Sequence, residues 1–581
     1  MKALVTCSLF FSAAIIYVLN VISSRSSKRP PSPRGWLPLL GHTPYLLSPS
    51  CHLTMRKWAN ELGSVFLLNI LTKPCYVISK ADLAARVLST RGPDRFRKAP
   101  QVYDPSLELT FGAPTLFNDC KEDEPYQAFR KGLAPAFSDK SMRAVYPVIR
   151  DVAQRLKARW QALALMADPS KQGEALDVSP WMQRCFLDII GAAGFAKDFN
   201  ALEGGHSSIF QVVHDAILVY DRRSVQPLEA PLCRLLPMLP IAREANRAMA
   251  EVRETFSGFL DEFKARGPPD VNDTRIWAQL MRVKDPQTGG PFPDTLIKGN
   301  IAILLIAGYD TSSWTSTWAL YDIARSPDCQ RRIKRELHEA GLLQVPGQPA
   351  ARPLEWSDLN LPYFNAVLKE SMRLHPVAGI GTVRVAPKNM ELEGFPIRKG
   401  DLLWVPIDAV HNSVHNFTDP TIFDPARWLP ETSNSSDKKA SAASSSCPNG
   451  TASNGPDQGA AQQTLMPSAS SPPQLSSSST ACGCPFAPKA TRTGQAGAQS
   501  KSMLPFSDGP RNCIGLNFAY ASVRTVLLSL LASFWFELGD DLKDHTLVEA
   551  SQSLVLVVQS GIPIKLHLKQ HEAPEQSVRT P

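Results

Sequence analysis

A ten-residue stretch near the C-terminus constrains this chain more than any other feature. It reads FSDGPRNCIG and places Phe506, Gly509, Arg511, Cys513 and Gly515 in the pattern F-x-x-G-x-R-x-C-x-G. Glycines let the backbone turn tightly and approach a flat molecule that a Cβ would obstruct. A cysteine thiolate can ligate iron, an arginine can pair with a carboxylate, and a phenylalanine ring can shield the sulfur from water. The pattern therefore predicts a haem-binding loop with Cys513 as the metal ligand.

The residues after Cys513 predict a helix that begins directly at this loop. The run IGLNFAYASVRTVLLSLLASF is largely apolar, and the positive end of its dipole would stabilise a thiolate. A single cysteine is more often a buried structural thiol, but five specified positions in so short a stretch favour a ligand. The loop resembles that of the cytochrome P450 superfamily. This resemblance implies a mainly α-helical fold with small β-sheets and heme b (iron protoporphyrin IX) as the cofactor.

A second motif lies in a segment that predicts one long helix over residues 296–325. The first half is almost wholly apolar, but the middle reads AGYDTS and contains Gly308, Asp310 and Thr311. A carboxylate is costly to bury in such a helix. The motif resembles the family's oxygen-activation helix, which implies that Thr311 holds a hydroxyl or water near oxygen and that Asp310 relays protons. Gly308 is expected to let the helix approach the cofactor or open locally. An ion-paired Asp310 between two helices is the alternative interpretation.

A third motif predicts a buried structural cluster. Pro362 begins and Pro376 stops a predicted helix, within which Glu370 and Arg373 are three residues apart and share one face. The pair resembles the family's E-x-x-R motif, whose partner is a later arginine that Arg427 matches. The resemblance implies that Glu370, Arg373 and Arg427 are structural and support haem incorporation.

Two further segments resemble sites that contact the haem propionates. In Tyr126-Gln-Ala-Phe-Arg130, tyrosine stands where the family usually has tryptophan, and its hydroxyl is also a donor. Arg384 follows the predicted helix and resembles the arginine that binds the other propionate. The alternative for Arg130 and Arg384 is an ordinary surface charge.

The resemblance implies a monooxygenase that inserts one atom of O2 into an apolar organic substrate. The residues expected to line an apolar pocket are Ile306, Ala307, Val377, Ala378 and Ile380. The chain shows no flavin- or NADPH-binding segment, so electrons are expected from an NADPH-dependent flavoprotein reductase that docks near Cys513, attracted by Lys131 and Arg143. Two alternatives remain: a haem-thiolate isomerase or dehydratase that acts on peroxides without O2, and a non-enzymatic haem-binding protein. Sterols, fatty acids, terpenoids and xenobiotics all remain possible substrates.

Composition excludes little beyond nucleic-acid binding. The net charge of +8 is spread over 581 residues, and no basic block with interleaved aromatic residues accompanies it. The cysteines number 11, an odd count without a regular framework. That pattern favours reduced thiols over a disulfide scaffold.

The N-terminus predicts a single-pass membrane anchor over residues 1–24. The apolar run Ala3–Ile22 is long enough to cross a bilayer, and the basic residues that follow it place the body in the cytosol by the positive-inside rule. We therefore expect the protein in a membrane, in the endoplasmic reticulum. A secretory signal or a plastid transit sequence is the alternative. A secreted form also stays open because the chain has N-x-S/T sequons at Asn272, Asn416, Asn434 and Asn449.

The remaining chain predicts one catalytic domain in two parts. Residues 431–500 are rich in Ser, Ala, Gly and Pro and poor in large apolar groups, which predicts a disordered insertion. Tyr76–Ser79 and Leu402–Pro406 read as strands. The predicted divisions are a proline-rich hinge over 25–50, the first part of the domain over 51–430, the insertion over 431–500, the haem loop and C-terminal part over 501–570, and a tail over 571–581.

Overall fold

The computed structural model describes most of the predicted catalytic domain. The described residues are 29–166, 175–203, 208–226, 229–343, 350–430, 502–543, 550–552, 555–558 and 560–568. The predicted anchor, the insertion over 431–500 and the tail lie outside them. Among the helices that these residues form, none combines the length and apolarity that crossing a bilayer requires.

Helices make up most of this part of the chain, as the sequence predicts. The α-helices in chain order are α1 Thr43–Leu46, α2 Cys51–Leu62, α3 Ala81–Ser89, α4 Pro100–Tyr103, α5 Glu124–Leu133, α6 Asp139–Met166, α7 Ser179–Ile189, α8 Ser208–Val225, α9 Glu229–Leu235, α10 Pro240–Ala265, α11 Ile276–Arg282, α12 Asp294–Arg325, α13 Pro327–Glu339, α14 Pro362–Leu374, α15 Ile407–His411, α16 Leu516–Leu531 and α17 Asp540–Lys543. Short 3₁₀ segments connect several of them.

The strands form small sheets. They are β1 Val65–Ile70, β2 Lys73–Ile78, β3 Arg97–Lys98, β4 Leu176–Asp177, β5 Thr382–Val385, β6 Met390–Leu392, β7 Phe395–Ile397, β8 Leu402–Val405, β9 Phe534–Leu538, β10 Ala550–Gln552, β11 Leu556–Val558 and β12 Pro563–Leu568. A five-stranded sheet has the order β1-β2-β8-β5-β3, in which β2 and β8 are parallel and the other pairs are antiparallel. A three-stranded sheet has the order β4-β12-β9, and β6-β7 and β10-β11 are antiparallel pairs. The predicted strands at residues 76–79 and 402–406 are confirmed as β2 and β8.

Helix α12 runs through the largest apolar core and packs against α7, α14 and α16. It is apolar and buried on nearly every side in its first half, as expected of a helix surrounded by other elements. A Cβ on Gly308 would lie 2.9 Å from the Ile190 side chain, which follows α7. The glycine therefore lets these two segments touch, and α12 continues as an α-helix through this point.

The residues after Cys513 differ from the prediction at one end. Helix α16 ends at Leu531, and Phe534 begins β9, where buried and half-buried residues alternate. This alternation is the period of a strand. The apolar run therefore contains a helix and the start of a strand.

Part of the predicted hinge packs on the five-stranded sheet. The His42 ring is fully buried and lies 3.1 Å, Nε2 to O, from the carbonyl of Pro33. Its Nδ1 accepts a hydrogen bond of 3.0 Å from the backbone N–H of Asn69 at the end of β1. This stretch is therefore fixed to the domain.

Candidate active site

A cavity of about 1540 Å³ lies between α12 and the Cys513 loop. Cys513 lines one part of its wall and Thr311 another, and most of the remaining wall is apolar. The size and apolar lining are those of a site for a cofactor together with an organic molecule.

A hydrogen bond and a glycine help to set the backbone of the loop. The N–H of Cys513 donates to the carbonyl of Phe506 at 2.9 Å. Gly509 has φ of +70°, and a Cβ there would lie 2.2 Å from the carbonyl oxygen of Leu88. Only glycine fits both the angle and the approach. The Phe506 ring centroid lies 5.1 Å from that of Tyr520, which fixes the ring beside the loop.

The surface that Cys513 exposes faces the cavity. Burial raises the pKa of its thiol, while the N–H of Gly515 and the charge of Arg130 act in the opposite direction. Helix α16 begins one residue after Gly515, so its N-terminus is directed towards the loop. These groups would stabilise a thiolate once a metal ion displaces the proton.

The protein atoms around Gly515 would leave room for a Cβ at this position. A Cβ there would lie 3.8 Å from the sulfur of Cys513 and 3.8 Å from the Phe137 ring, which are ordinary contacts. The prediction that its missing side chain makes room for a flat cofactor therefore stays a prediction.

Buried donors without acceptors accompany the loop. Arg384 is 2% exposed, and within the described chain its Nε and Nη1 have no hydrogen-bond partner. The same holds for Nη1 of Arg511 and the hydroxyl of Tyr126. The other terminal nitrogen of Arg511, Nη2, donates hydrogen bonds to the carbonyls of Phe117 at 3.2 Å and Asp119 at 2.9 Å. Its guanidinium lies 4.2 Å from the centroid of the Tyr126 ring.

Lys98 joins this group, although the sequence interpretation missed it. In the antiparallel pairing of β3 with β5, Lys98 stands directly opposite Arg384. Its amine donates to the carbonyl of Phe117 at 2.5 Å and lies 4.0 Å from the centroid of the Tyr103 ring. Burial, with the nearby charges of Arg511 and Arg384, lowers its pKa well below the usual value. Only the strand register, which the sequence does not reveal, brings these cations together.

Buried like charges on facing strands are unfavourable unless an anion lies between them. The four basic side chains Lys98, Arg130, Arg384 and Arg511 all line the cavity. Arg511 also lies 3.8 Å from Glu122, measured from Nε to Oε1. Arg130 itself donates to the side-chain oxygen of Asn512 at 2.5 Å. The donors without partners on Arg384, Arg511 and Tyr126 fit the carboxylates of a haem that would bind beside Cys513.

Asp310 and Thr311 lie on different sides of α12. The residues of α12 that line the cavity form one stripe: Ile303, Leu304, Ala307, Gly308, Thr311, Ser312 and Thr315. This spacing is that of one helix face, and Ile306 and Asp310 lie off it. The Thr311 hydroxyl donates to the carbonyl of Ala307 at 2.8 Å. The expectation that Ile306 lines the pocket is therefore wrong, whereas Ala307, Val377, Ala378 and Ile380 do line it.

The Asp310 carboxyl is 4% exposed, and its Oδ2 has no hydrogen-bond partner in the part of the chain that the structure describes. Burial, assisted by the charge of Asp221 on α8, raises its pKa to about 7. Such a carboxyl holds a proton near neutral pH, as a proton donor must. The alternative of an ion-paired Asp310 finds no support among the described residues, because the charge that acts on its carboxyl is that of another acid, Asp221.

The predicted structural cluster is assembled around one carboxylate. Arg373 forms a bidentate pair with Glu370, at 2.9 and 2.8 Å, and both side chains are 0% exposed. Arg427 donates to Oε1 at 3.1 Å, and the indole of Trp428 donates to Oε2 at 2.9 Å. Arg373 also donates to the carbonyl of Pro420 at 2.6 Å. The cluster therefore ties α14 to the segment before the undescribed insertion.

A second link joins this cluster to the haem loop. The ring of His411 is fully buried, and its Nε2 accepts a hydrogen bond of 2.8 Å from the N–H of Leu504. The carbonyl of the same residue accepts a bond of 3.1 Å from Arg373. Burial lowers the pKa of His411 to about 3, so the ring is neutral and can accept. This link could not be predicted from the sequence, because its residues are far apart in the chain.

The chain belongs to the cytochrome P450 family. The family model "Cytochrome P450" matches residues 30–444 and 486–565. The chain is similar to Cytochrome P450 monooxygenase claP of Ampulloclitocybe clavipes, 26% identical over 505 residues that cover 83% of this chain and 80% of the relative. Cytochrome P450 monooxygenase claU of the same organism is 25% identical over 562 residues, covering 92% and 90%. Flavonoid 3'-monooxygenase CYP75B3 of Oryza sativa subsp. japonica is 28% identical over 457 residues, covering 73% and 81%.

Family membership establishes the enzyme class. The protein is a cytochrome P450 monooxygenase, an oxidoreductase that incorporates oxygen from O2. The family implies a haem-iron cofactor, an organic substrate and a redox partner that supplies electrons.

Proposed function

We propose that this enzyme inserts one atom of O2 into an apolar organic substrate, with heme b in the cavity and the sulfur of Cys513 as the iron ligand. The observation that carries the proposal is the joint presence, on one cavity wall, of Cys513 and buried arginine donors that lack acceptors. Phe506, Gly509 and Gly515 would shape the loop. Tyr126, Arg130, Arg384 and Arg511 would hold the propionates, and Lys98 joins them.

Bound haem supplies the oxygen chemistry of the overall reaction, in which R–H, O2, two electrons and two protons give R–OH and water. The protein's own part is to deliver protons and exclude bulk water. Asp310 holds a proton inside the protein near neutral pH, because its pKa is raised to about 7. The Thr311 hydroxyl lies on the cavity wall one residue away and would pass the proton on through a water molecule.

We assign the electrons to an NADPH-dependent flavoprotein reductase that docks on the side of α5. Arg130 of this helix reaches Asn512 in the loop, and the neighbouring Lys131 is exposed. Arg143 is expected to attract the reductase less strongly than Lys131, because its guanidinium forms an ion pair with Asp139 at 2.8 Å. Lys131 is therefore the better candidate for attracting an acidic surface.

Lys131→Glu is expected to slow reduction by the reductase severalfold at low ionic strength and to flatten its salt dependence. Rim charges mainly change association rates. The measurement is stopped-flow reduction over a salt series, with Lys140→Glu on α6 as a matched surface control. Equal rates for the wild type and Lys131→Glu at every ionic strength would remove this docking site.

We further propose a single-pass anchor over residues 1–24 in the endoplasmic reticulum membrane, with the catalytic domain in the cytosol. The apolar run and its basic flank support this topology. The family match, which begins at residue 30 and is interrupted between 444 and 486, supports an N-terminal extension and an insertion in one catalytic domain.

The monooxygenase proposal is tested by stoichiometry. With reductase, NADPH and isotopically labelled O2, the product is expected to carry one labelled oxygen atom, with NADPH consumed in proportion. A product formed without NADPH or O2 consumption would instead identify the peroxide isomerase or dehydratase. A haem-loaded protein that forms no product from any tested substrate class would favour the non-enzymatic alternative.

A further inference from the structure

A smaller cavity of about 280 Å³ adjoins the large one. Glu108, Arg223, Ala230 and Arg234 line both, so the two spaces share a wall. We call the smaller cavity the annex; Cys233, Pro237 and Asn246 complete its lining. The residues of the Cys513 loop line only the large cavity. The annex is therefore a separate polar space beside the candidate active site.

Among the described residues that line the annex, the acid Glu108 is already paired. Glu108 forms an ion pair with Arg223, whose side chain is 10% exposed. Arg223 also lies 3.4 Å from Glu229, whose carboxylate in turn accepts a 2.7 Å bond from Arg222. These groups neutralise one another and keep Glu108 from attracting a cation.

Arg234 lies outside this ion-pair network. It makes no ion pair or side-chain hydrogen bond with any residue in the described ranges, and it is exposed on the annex wall. Arg253 on α10, which lines the large cavity, is likewise without such a partner there. The largely apolar cavity thus adjoins a polar pocket where Arg234 has no ion-pair partner among the described residues.

We propose that the substrate of this enzyme is an amphiphilic carboxylic acid. Its apolar body occupies the large cavity and its carboxylate enters the annex against Arg234, with Arg253 adding positive potential. A guanidinium binds a carboxylate with charge-assisted hydrogen bonds, which a neutral alcohol of the same length cannot match. This inference rests on the proposed function and narrows its substrate class.

The test compares three ligands of equal chain length on the haem-loaded enzyme: dodecanoate, dodecan-1-ol and dodecyltrimethylammonium. Dissociation constants are measured by calorimetry and by the spin-state shift of the haem absorption. The wild type is expected to bind dodecanoate roughly tenfold more tightly than the alcohol. This ratio corresponds to a difference of about 1.4 kcal/mol in binding free energy. Arg234→Gln is expected to remove that preference and leave alcohol binding unchanged. Arg243→Gln, an exposed arginine of α10 outside both linings, is the matched control and is expected to behave like the wild type.

Equal affinity of the wild type for acid and alcohol would overturn the inference, and so would tighter binding of the quaternary ammonium ligand. An equal loss of affinity for the acid and the alcohol in Arg234→Gln would show that Arg234 acts through packing, and would also overturn the inference. These outcomes are distinct from failure of the proposed function. That failure appears as a protein that loads no haem or gives no thiolate signature in its reduced carbon monoxide spectrum, and in that case calorimetry on the apoprotein still measures ligand binding.

Discussion

The Cys513 loop and the Asp310–Thr311 segment of α12 line or adjoin the same cavity, but they are specified in different ways. In the loop, the backbone sets the requirement: Gly509 has φ of +70° and leaves no room for a Cβ. In α12, the backbone is an ordinary helix, and the role of each side chain depends on its surroundings. Thr311 lines the cavity, whereas burial near another acid raises the pKa of Asp310. The pattern of the Cys513 loop can thus be recognised in the local sequence, whereas the raised pKa of the Asp310 carboxyl depends on what the fold places around it.

The largest effect is expected at Gly509. Gly509→Ala places a methyl group 2.2 Å from the carbonyl oxygen of Leu88 at a positive φ, so the loop must move and haem incorporation should be lost. Gly515→Ala is the matched control for folding of the apoprotein, because its Cβ would meet protein atoms only at 3.8 Å. Haem content per polypeptide and thermal unfolding of the apoprotein are the measurements. The apoprotein of Gly515→Ala should unfold like the wild type; normal haem content in Gly509→Ala would contradict this account of the loop.

The next largest effect is expected at Glu370. Glu370→Gln leaves Arg373 buried at 0% exposure with its charge uncompensated. Breaking a buried ion pair from one side costs about 3–5 kcal/mol. Denaturant unfolding of the apoprotein should show this loss in the free energy of unfolding. Glu391→Gln on the exposed part of β6 is the control and should change it little. A Glu370→Gln protein as stable as the wild type would mean that Arg373 finds other partners.

These two motifs were predictable because each lies in a few consecutive residues. The F-x-x-G-x-R-x-C-x-G spacing and the Glu370–Arg373 pair could be recognised without the fold. The position of Lys98 directly opposite Arg384 could not be recognised, because it depends on the register of β3 with β5. The error at Ile306 has the same origin: its position on α12 relative to the cavity depends on how the helix is rotated in the core.

An effect that depends on pH is expected at Asp310. The native carboxyl keeps its proton up to a pKa of about 7, whereas the unfolded chain releases it near the ordinary value of 3.8. Between these values the unfolded state binds fewer protons, so the free energy of unfolding falls as pH rises. The fall is at most ~1.4 kcal/mol per pH unit and stops above the native pKa. Asp310→Asn does not titrate and should show a flatter profile.

Chemical unfolding across this pH window measures the difference between the two proteins, with Asp261→Asn, an exposed position on α10, as the control. The control should follow the wild type. Parallel profiles for the wild type and Asp310→Asn would show that Asp310 is ionised throughout, and would remove it as a proton store. In that case the contrast between loop and helix would rest on Thr311 alone.

The central claim is the bond between the sulfur of Cys513 and haem iron, and the reduced carbon monoxide difference spectrum tests it most directly. The wild type and Cys120→Ser, a half-exposed cysteine outside the cavity lining, should both give the spectrum of thiolate ligation. Cys513→Ser should lose it, either with the haem or with a shift to the spectrum of another ligand. A Cys513→Ser protein that keeps the thiolate spectrum would contradict the account.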